Sequence, residues 1–283
     1  MRKSSKIRAA CVQFNAGSDW KKNLARASIW VEKAARRRVQ LLAFPEHFCF
    51  RGPARHYPAI ALAMPAILEK IRDLARYFHM GILVGSVLEP GPRPHRYYNT
   101  SILISGEGKI VGFYRKIHLF DIRLKRGPQA HESEFFLSGK RRVVTPILGI
   151  RAGMSICYDL RFPELFREGT LKGCELFFVP SNFTWKTGKA HWEILLKSRA
   201  IENQIFIMAP GQSGNHSETQ LRSYGHSMIV GPWGETLAEA GTSGERLVEA
   251  VLDLKKLREL RRSFPVLKSF ETQGSLSALR GIS

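Results

Sequence analysis

With 283 residues, 44% of them hydrophobic and 10% aromatic, the chain holds ample material for one large α/β domain or two smaller ones. No run approaches the roughly 18 consecutive apolar residues of a membrane-spanning helix, and the basic start, Met1 to Arg8, has no apolar segment behind it, which predicts no secretory leader. The 44 Lys and Arg against 24 Asp and Glu leave a net charge of +20, which raises nucleic-acid binding as a function class.

The basic residues are nevertheless scattered. Their densest runs, Arg36 to Arg38, Lys140 to Arg142 and Lys255 to Arg262, fall at the ends of patterned segments, with no RNP, KH or helix-turn-helix signature beside them. Solvated faces account for this charge better than a nucleic-acid partner, and it also suits an anionic substrate. Cys11, Cys49, Cys157 and Cys174 show neither CxxC spacing nor a zinc-type His pairing. That disfavours a metal centre and a disulfide scaffold and points to the reducing cytoplasm, where the sequons at Asn99, Asn182 and Asn215 are silent.

In chain order, Ile7 to Phe14 alternates as a first strand. Ser18-Asp19 offers an N-cap for a helix from Trp20 to about Arg38, with apolar residues at Leu24, Ala27, Val31 and Ala34-Ala35. Gln40-Leu-Leu-Ala-Phe44 carries the unbroken apolar run of a strand covered on both faces and stops at Pro45-Glu46-His47. A helix over Pro65–Phe78 and a strand over Gly81–Leu88 complete the alternation of a layered α/β domain. Tyr98–Ser105 and Ile110–Tyr114, joined through Gly106-Glu-Gly108, predict a hairpin that runs into Arg115-Lys116-Ile-His118-Leu-Phe120. The polar stretch Asp121–Gly139, with Gly127-Pro128, reads as a surface loop over a site.

Strands are expected at Arg142–Leu148, Arg151–Cys157, Glu175–Val179, Gln204–Pro210, Tyr224–Val230 and Leu247–Leu252, with helices at Pro163–Lys172 and Lys189–Asn203. No linker divides the halves, which predicts one domain over 1–262 and a C-terminal tail over 263–283.

Glu46, Lys116 and Cys157 each stand where a strand ends, the edge on which α/β sheets build sites. Cys157 at a strand-to-helix turn has backbone N–H groups and a helix dipole nearby, which favour thiolate and can cradle an oxyanion. A partly desolvated Glu46 would have a raised pKa and serve as general base, while Lys116 would hold the thiolate down in pKa. The plainer readings are a buried structural cysteine, a capping glutamate and a snorkelling lysine. Two other functions compete: a Cys–His hydrolase using Cys157 with His118, His191 or His226, and a non-catalytic nucleic-acid-binding scaffold. A serine-hydrolase elbow is absent, because Gly225-His-Ser-Met-Ile lacks the closing glycine.

Four blocks, Pro45-Glu46, Tyr114-Arg-Lys-Ile-His-Leu-Phe-Asp121, Ser155-Ile-Cys-Tyr-Asp-Leu-Arg-Phe-Pro-Glu-Leu165 and Gly188 to Asn203, resemble in kind and order those of the nitrilase, or carbon–nitrogen hydrolase, superfamily. The resemblance covers about residues 6 to 260. It implies a four-layer αββα sandwich and a Glu-Lys-Cys triad on Glu46, Lys116 and Cys157. It also implies a second glutamate, Glu132 with Glu134 as the alternative, and an oxyanion N–H at Tyr158. The chemistry implied is acyl transfer through a cysteinyl thioester, in a homodimer, without metal or organic cofactor.

Gln212-Ser-Gly-Asn-His216 and Ser223 to Gly234 resemble the Nit branch, which includes ω-amidase and deaminated-glutathione amidase, although Gly231 replaces its usual aspartate. Such substrates bear carboxylates, for which Arg161 is the candidate partner. Ion pairing of Arg161 with Asp159 or Glu164 is the structural alternative. An N-carbamoyl amino acid hydrolase is the nearest rival, and a nitrilase a more distant one.

Overall fold

The computed structural model describes residues 5–123, 129–215 and 221–268. The first half runs β1 (Lys6–Gln13), α1 (Trp20–Arg36), β2 (Leu41–Ala43), α2 (Tyr57–Tyr77), β3 (Gly81–Pro90), β4 (Tyr97–Ile104) and β5 (Ile110–Arg115). A small hairpin, β6 (Asp121–Arg123) with β7 (Gln129–His131), follows. The second half runs β8 (Val144–Ile147), β9 (Ile150–Met154), α3 (Pro163–Leu171), β10 (Leu176–Phe178), α4 (Trp185–Asn203) and β11 (Phe206–Ala209). The hairpin β12 (Ser213–Asn215) and β13 (Arg222–Tyr224) leads to β14 (Met228–Val230), β15 (Thr236–Glu239), β16 (Arg246–Asp253) and α5 (Leu254–Ser263).

These strands form two six-stranded sheets, ordered β16-β1-β2-β3-β4-β5 and β15-β14-β11-β10-β9-β8. In each, a parallel triplet (β1-β2-β3 and β9-β10-β11) is flanked by antiparallel strands. Side-chain alternation along the strands sets the layers. Ile7, Ala9, Cys11, Leu41, Ala43 and Leu83 share one core with Ala152, Met154 and Phe178 of the facing sheet. Their neighbours Ala10, Val12, Leu42, Ile82 and Val84 instead pack on Ala27, Val31, Ile67 and Ile71 of α1 and α2. Phe166, Trp192 and Leu196 of α3 and α4 cover the other sheet. The result is the expected αββα sandwich, with both sheets buried on two faces. No helix among the described residues is long and apolar enough to cross a membrane.

The structure corrects several expected boundaries. α2 begins at Tyr57, eight residues before Pro65, which lies inside the helix. Burial of Ile60, Ala61 and Met64 holds the first turns in place despite the missing N–H at Pro65. Within the expected loop 121–139 the chain forms the β6–β7 hairpin and a 3₁₀ turn at Glu132–Glu134, while Gly127-Pro128 lies outside the described residues. The expected strand 224–230 is broken at Gly225-His226-Ser227 into β13 and β14. β15 and α5 were not legible in the sequence; α5 buries only Leu254 and Leu257 beneath its charged residues. The tail is described only to Lys268, with the Phe264 carbonyl accepting from Gln204 Nε2 at 2.7 Å.

Candidate active site

β2 delivers its chain to the sheet edge, and the next turn sets Glu46. That turn lies hard against β3: a Cβ on Gly85 would sit 2.0 Å from the Pro45 carbonyl oxygen and 2.1 Å from that of Phe44. Glycine is required there by close approach. The β3–β4 register shifts at the same place, and Ser86 Oγ accepts the His47 N–H at 2.9 Å. His47 itself adopts a left-handed φ of 57°.

The Glu46 side chain is only 3% exposed. Its Oε1 accepts from Lys116 Nζ and from Asn99 Nδ2, each at 2.9 Å, and its Oε2 accepts the Asn182 backbone N–H at 2.9 Å. The Glu46 carbonyl is tied to Gln212 Nε2 at 2.9 Å. Both carboxylate oxygens are therefore held by donors, as burial of a charge requires.

Lys116 follows the end of β5 and is 2% exposed. Its Nζ bridges Glu46 to Glu132, whose Oε2 and Oε1 lie 2.8 and 3.1 Å away. Glu132 is fixed in turn by the Phe120 N–H at 2.7 Å and by Asn99 Nδ2 at 3.2 Å. Glu134, the alternative second glutamate, is exposed. Asn99, at the start of β4, thus donates to both glutamates, a role no spacing in the sequence suggested.

β9 ends at Met154, and Cys157 opens a 3₁₀ turn over Cys157–Arg161 before α3 begins at Pro163. The turn between the strand and a helix opening at Pro163 is where the sequence predicts it. Cys157 has a left-handed φ of 49°, a conformation costing a non-glycine residue on the order of 1–2 kcal/mol. Two anchors hold it. The Cys157 N–H donates to the Pro180 carbonyl at 3.0 Å. The fully buried Asp159 accepts the preceding Ile156 N–H at 2.9 Å, the Tyr114 hydroxyl at 2.6 Å, and the His118 N–H and Nδ1 at 3.0 and 2.7 Å. Tyr158 follows at the head of the turn, where backbone N–H groups lack intrahelical acceptors.

Electrostatics reverse two sequence-based expectations. Burial, then the adjacent Glu46 charge, pushes the Cys157 thiol well above its ordinary value, against the pull of Lys116 and the Asn182 amide. The resting nucleophile is then a neutral thiol beside Glu46, not a pre-formed thiolate. Burial would raise Glu46, but the Lys116 ammonium, His47 and the hydrogen bonds from Lys116 and Cys157 outweigh it and leave this carboxyl below its ordinary value. Lys116, despite burial, is held well above its ordinary value by Glu132, Glu46 and Cys157. These directions describe an ionised base beside a protonated nucleophile. Burial also pushes Cys49 and Cys174 up to about 12, which leaves them inert.

Glu46, His47 and Glu132 place donor atoms within 4.8 Å of one another, but the Lys116 ammonium already bridges the two carboxylates and supplies the cation. A narrow pocket of about 20 Å³ opens on Cys157, lined by Tyr158, Arg161, Phe183, Thr184 and Thr187. Arg161 stands 5.6 Å over the Tyr158 ring and 5.4 Å over Phe183, with His191 Nδ1 at 3.3 Å. It pairs with neither Asp159 nor Glu164 among the described residues. The three candidate histidines are engaged away from the thiol. His118 is bonded to Asp159 and stacked on Phe162, His191 contacts Arg161, and His226 Nε2 lies 3.0 Å from Glu239.

The sequence pattern of the carbon-nitrogen hydrolase family matches residues 8–262. The chain belongs to this family. It is 35% identical over 266 residues to the deaminated glutathione amidase of Synechocystis, covering 92% of this chain and 96% of that one. The human omega-amidase is 34% identical over 265 residues, with 93% and 94% covered. Among solved structures, the Caenorhabditis elegans NitFhit protein superposes with a TM-score of 0.88 at 34% identity, over 93% of this chain and 64% of that longer one. Saccharomyces cerevisiae Nit3, described as a member of branch 10 of the nitrilase superfamily, gives 0.82 at 31% identity, over 93% and 95%. The chain is thus an amidase-type carbon–nitrogen hydrolase of the Nit branch.

Against that branch, the glycine at 231 has a local cause. A Cβ there would lie 2.2 Å from the Glu235 carboxyl group, so in this hydrolase the space beside residue 231 holds the Glu235 side chain. Glu235 accepts the Trp233 N–H at 2.9 Å and closes the β14–β15 turn.

Proposed function

We propose that Glu46, Lys116 and Cys157 are the catalytic triad of a thiol hydrolase acting on a small carboxylate-bearing amide, of the kind cleaved by ω-amidase or deaminated-glutathione amidase. One observation carries this reading: the Lys116 ammonium within 3.1 Å of both Glu46 and Glu132, beside the buried Cys157 thiol, which Glu46 and Lys116 influence electrostatically.

Glu46 accepts the Cys157 proton as the sulfur attacks the amide carbon. Lys116 and the Tyr158 N–H stabilise the tetrahedral oxyanion, and each such donor contributes roughly 10²–10³ in kcat. Glu46 then passes its proton to the departing amine, which leaves as ammonia from a primary amide. Water, deprotonated by Glu46, attacks the thioester, and the proton returns to the sulfur as the acid departs. Glu132 positions Lys116, and Arg161, lining the thiol pocket, receives the acyl-side carboxylate.

The test is product release from a panel: α-ketoglutaramate, deaminated glutathione, an N-carbamoyl amino acid and a simple nitrile, each with a Cys157→Ala control. Turnover of either of the first two, lost in the control, is the expected result. Turnover of the carbamoyl compound or nitrile alone would keep the triad and move the substrate class. Activity surviving Cys157→Ala would overturn the reading.

The catalytic unit is residues 1–262, with 263–283 a tail, and four unpaired cysteines suit the cytoplasm. The outer face of α4 supports a homodimer. Ile194 and Ile201 lie exposed on one stripe, Ile201 abuts Gly234, and the exposed Trp233 ring contacts Phe264 at 5.7 Å. A second copy of this chain covers such a patch by two-fold symmetry. Sedimentation of the wild type as a dimer, and of Ile201→Glu as a monomer, is expected.

A further inference from the structure

The thiol pocket, of about 20 Å³, and a larger cavity, of about 220 Å³, meet at Asn182 and Thr184. Thr184 uses its hydroxyl on that of Thr187, 2.9 Å away, at the start of α4. Asn182 is tied at two points. Its backbone N–H donates to Glu46 Oε2 at 2.9 Å and also draws the Cys157 thiol down, so this residue stands at both the base and the nucleophile. Its side-chain Oδ1 accepts from Ser223 Oγ at 2.6 Å. That length suits an O–H···O bond and is short for N–H···O, which decides the end of the amide that faces Ser223. Ser223 is itself buried, paired with Gly214 in the β12–β13 hairpin and bridged to Thr184. The other end of the amide, Nδ2, has no hydrogen-bond partner among the described residues. It is a neutral donor of fixed direction on a residue that lines both cavities.

The lone pairs of Glu46 locate the proton transfer. Oε1 already accepts from Lys116 Nζ and Asn99 Nδ2, each at 2.9 Å. Oε2 accepts the Asn182 N–H, and a carboxylate oxygen offers about two acceptor sites. The open site is therefore on Oε2, beside Asn182. An asparagine holds Nδ2 within about 5 Å of its own backbone nitrogen, which brings this donor and Oε2 within the span of a single water. The departing amine and the incoming water use that site in turn. The amine's lone pair takes the proton from Oε2, whereas the water oxygen has a second lone pair left for Nδ2 to bind.

We propose that the Asn182 side-chain amide holds the hydrolytic water of the second half-reaction. Nδ2 donates to the water oxygen, one water hydrogen points at Glu46 Oε2, and the remaining lone pair faces the thioester carbon. As the C–O bond forms, that proton passes to Oε2; as the C–S bond breaks, it passes from Oε2 to the sulfur. Acylation consumes no water and makes no use of Nδ2. This rests on the triad reading above.

The compound p-nitrophenyl acetate separates the two half-reactions, because acylation of the thiol releases p-nitrophenol in a burst and deacylation sets the steady rate. Asn182→Ala keeps the backbone N–H on Glu46. Its burst should stay within about threefold of the wild type while the steady rate falls by about 10²-fold, the scale of a misplaced reacting atom. The acetylated chain should accumulate in intact-mass spectra. Hydroxylamine, a stronger nucleophile that attacks without a base-held water, should restore turnover as the hydroxamate. Ser223→Ala retains Nδ2 and only loosens its direction, so its steady rate should fall less than that of Asn182→Ala. Burst and steady rate lowered together in Asn182→Ala, or a steady rate left unchanged, would overturn the proposal. So would hydroxamate formation lost as deeply as hydrolysis. A burst missing from the wild type, or kept in Cys157→Ala, counts against the triad itself, and the proposal falls with it.

Discussion

Lys116→Met abolishes turnover and destabilises the fold, by an amount that depends on pH in a direction opposite to the usual one. The ammonium is buried between two carboxylates, 2.9 Å from Glu46 and 2.8 Å from Glu132. Removing one partner of a buried pair costs roughly 3–5 kcal/mol, because the remaining charge is left without compensation. In the wild type, Glu46 titrates below its ordinary 4.5, so its contribution to stability is present above that value and is lost as the pH falls through the lower folded value. Without Lys116, the main influence lowering Glu46 is gone, while burial and the neighbouring carboxylate remain. Its folded pKa then rises above the unfolded one, and the penalty is largest at neutral pH and relieved on acidification.

Chemical denaturation at pH 8 and at pH 5 checks this: the gap between wild type and Lys116→Met should narrow by 1 kcal/mol or more at the lower pH, about 1.4 kcal/mol for each pKa unit moved. A gap independent of pH would mean that Lys116 is not the ion holding Glu46 charged. Activity should fall by at least the roughly 10²–10³ expected for one oxyanion donor, since the proton acceptor is compromised at the same time.

The central strands of both sheets were legible because burial on two faces leaves little room for ambiguity, whereas the half-exposed edge strand β15 carries no such signal. Runs such as Leu41 to Phe44 and Leu176 to Val179 are apolar throughout and short, so only a covered strand fits them. Glu46, Lys116 and Cys157 were legible for a related reason: a chargeable or nucleophilic residue at the end of such a run has no packing role. The protonation states were not legible. Helix dipole and lysine argued for a thiolate, but burial and the Glu46 carboxylate act at distances that only the folded chain sets. Asn99 and Asn182 were missed because each serves the site through groups common to many residues, one by a side-chain amide from β4, the other by its backbone N–H.

Asp159→Asn cripples the nucleophile without touching it. All four groups around this carboxylate are donors: the Tyr114 hydroxyl and Ile156 N–H on Oδ2, the His118 N–H and ring Nδ1 on Oδ1. A carboxylate accepts at both oxygens, whereas an asparagine amide accepts at one and donates at the other. With the amide nitrogen in the Oδ2 position two donors meet an N–H, and in the Oδ1 position the His118 backbone N–H does, at roughly 1–3 kcal/mol for each buried group left unsatisfied. The melting temperature falls by about 2–4 °C for every kcal/mol lost at this chain length. Where the amide nitrogen takes the Oδ2 position the Ile156 anchor is gone and the left-handed Cys157 loses one of its two backbone restraints; a misplacement of about 1 Å in a reacting atom costs on the order of 10²-fold in rate. The loss appears in kcat more than in KM, and alkylation of Cys157 by iodoacetamide slows in parallel. Tyr114→Phe removes one of the competing donors, so the double variant Asp159→Asn, Tyr114→Phe should recover part of the lost stability, a coupling that two independent sites would not show. Alkylation at the wild-type rate in Asp159→Asn would remove this carboxylate from any role in placing the thiol.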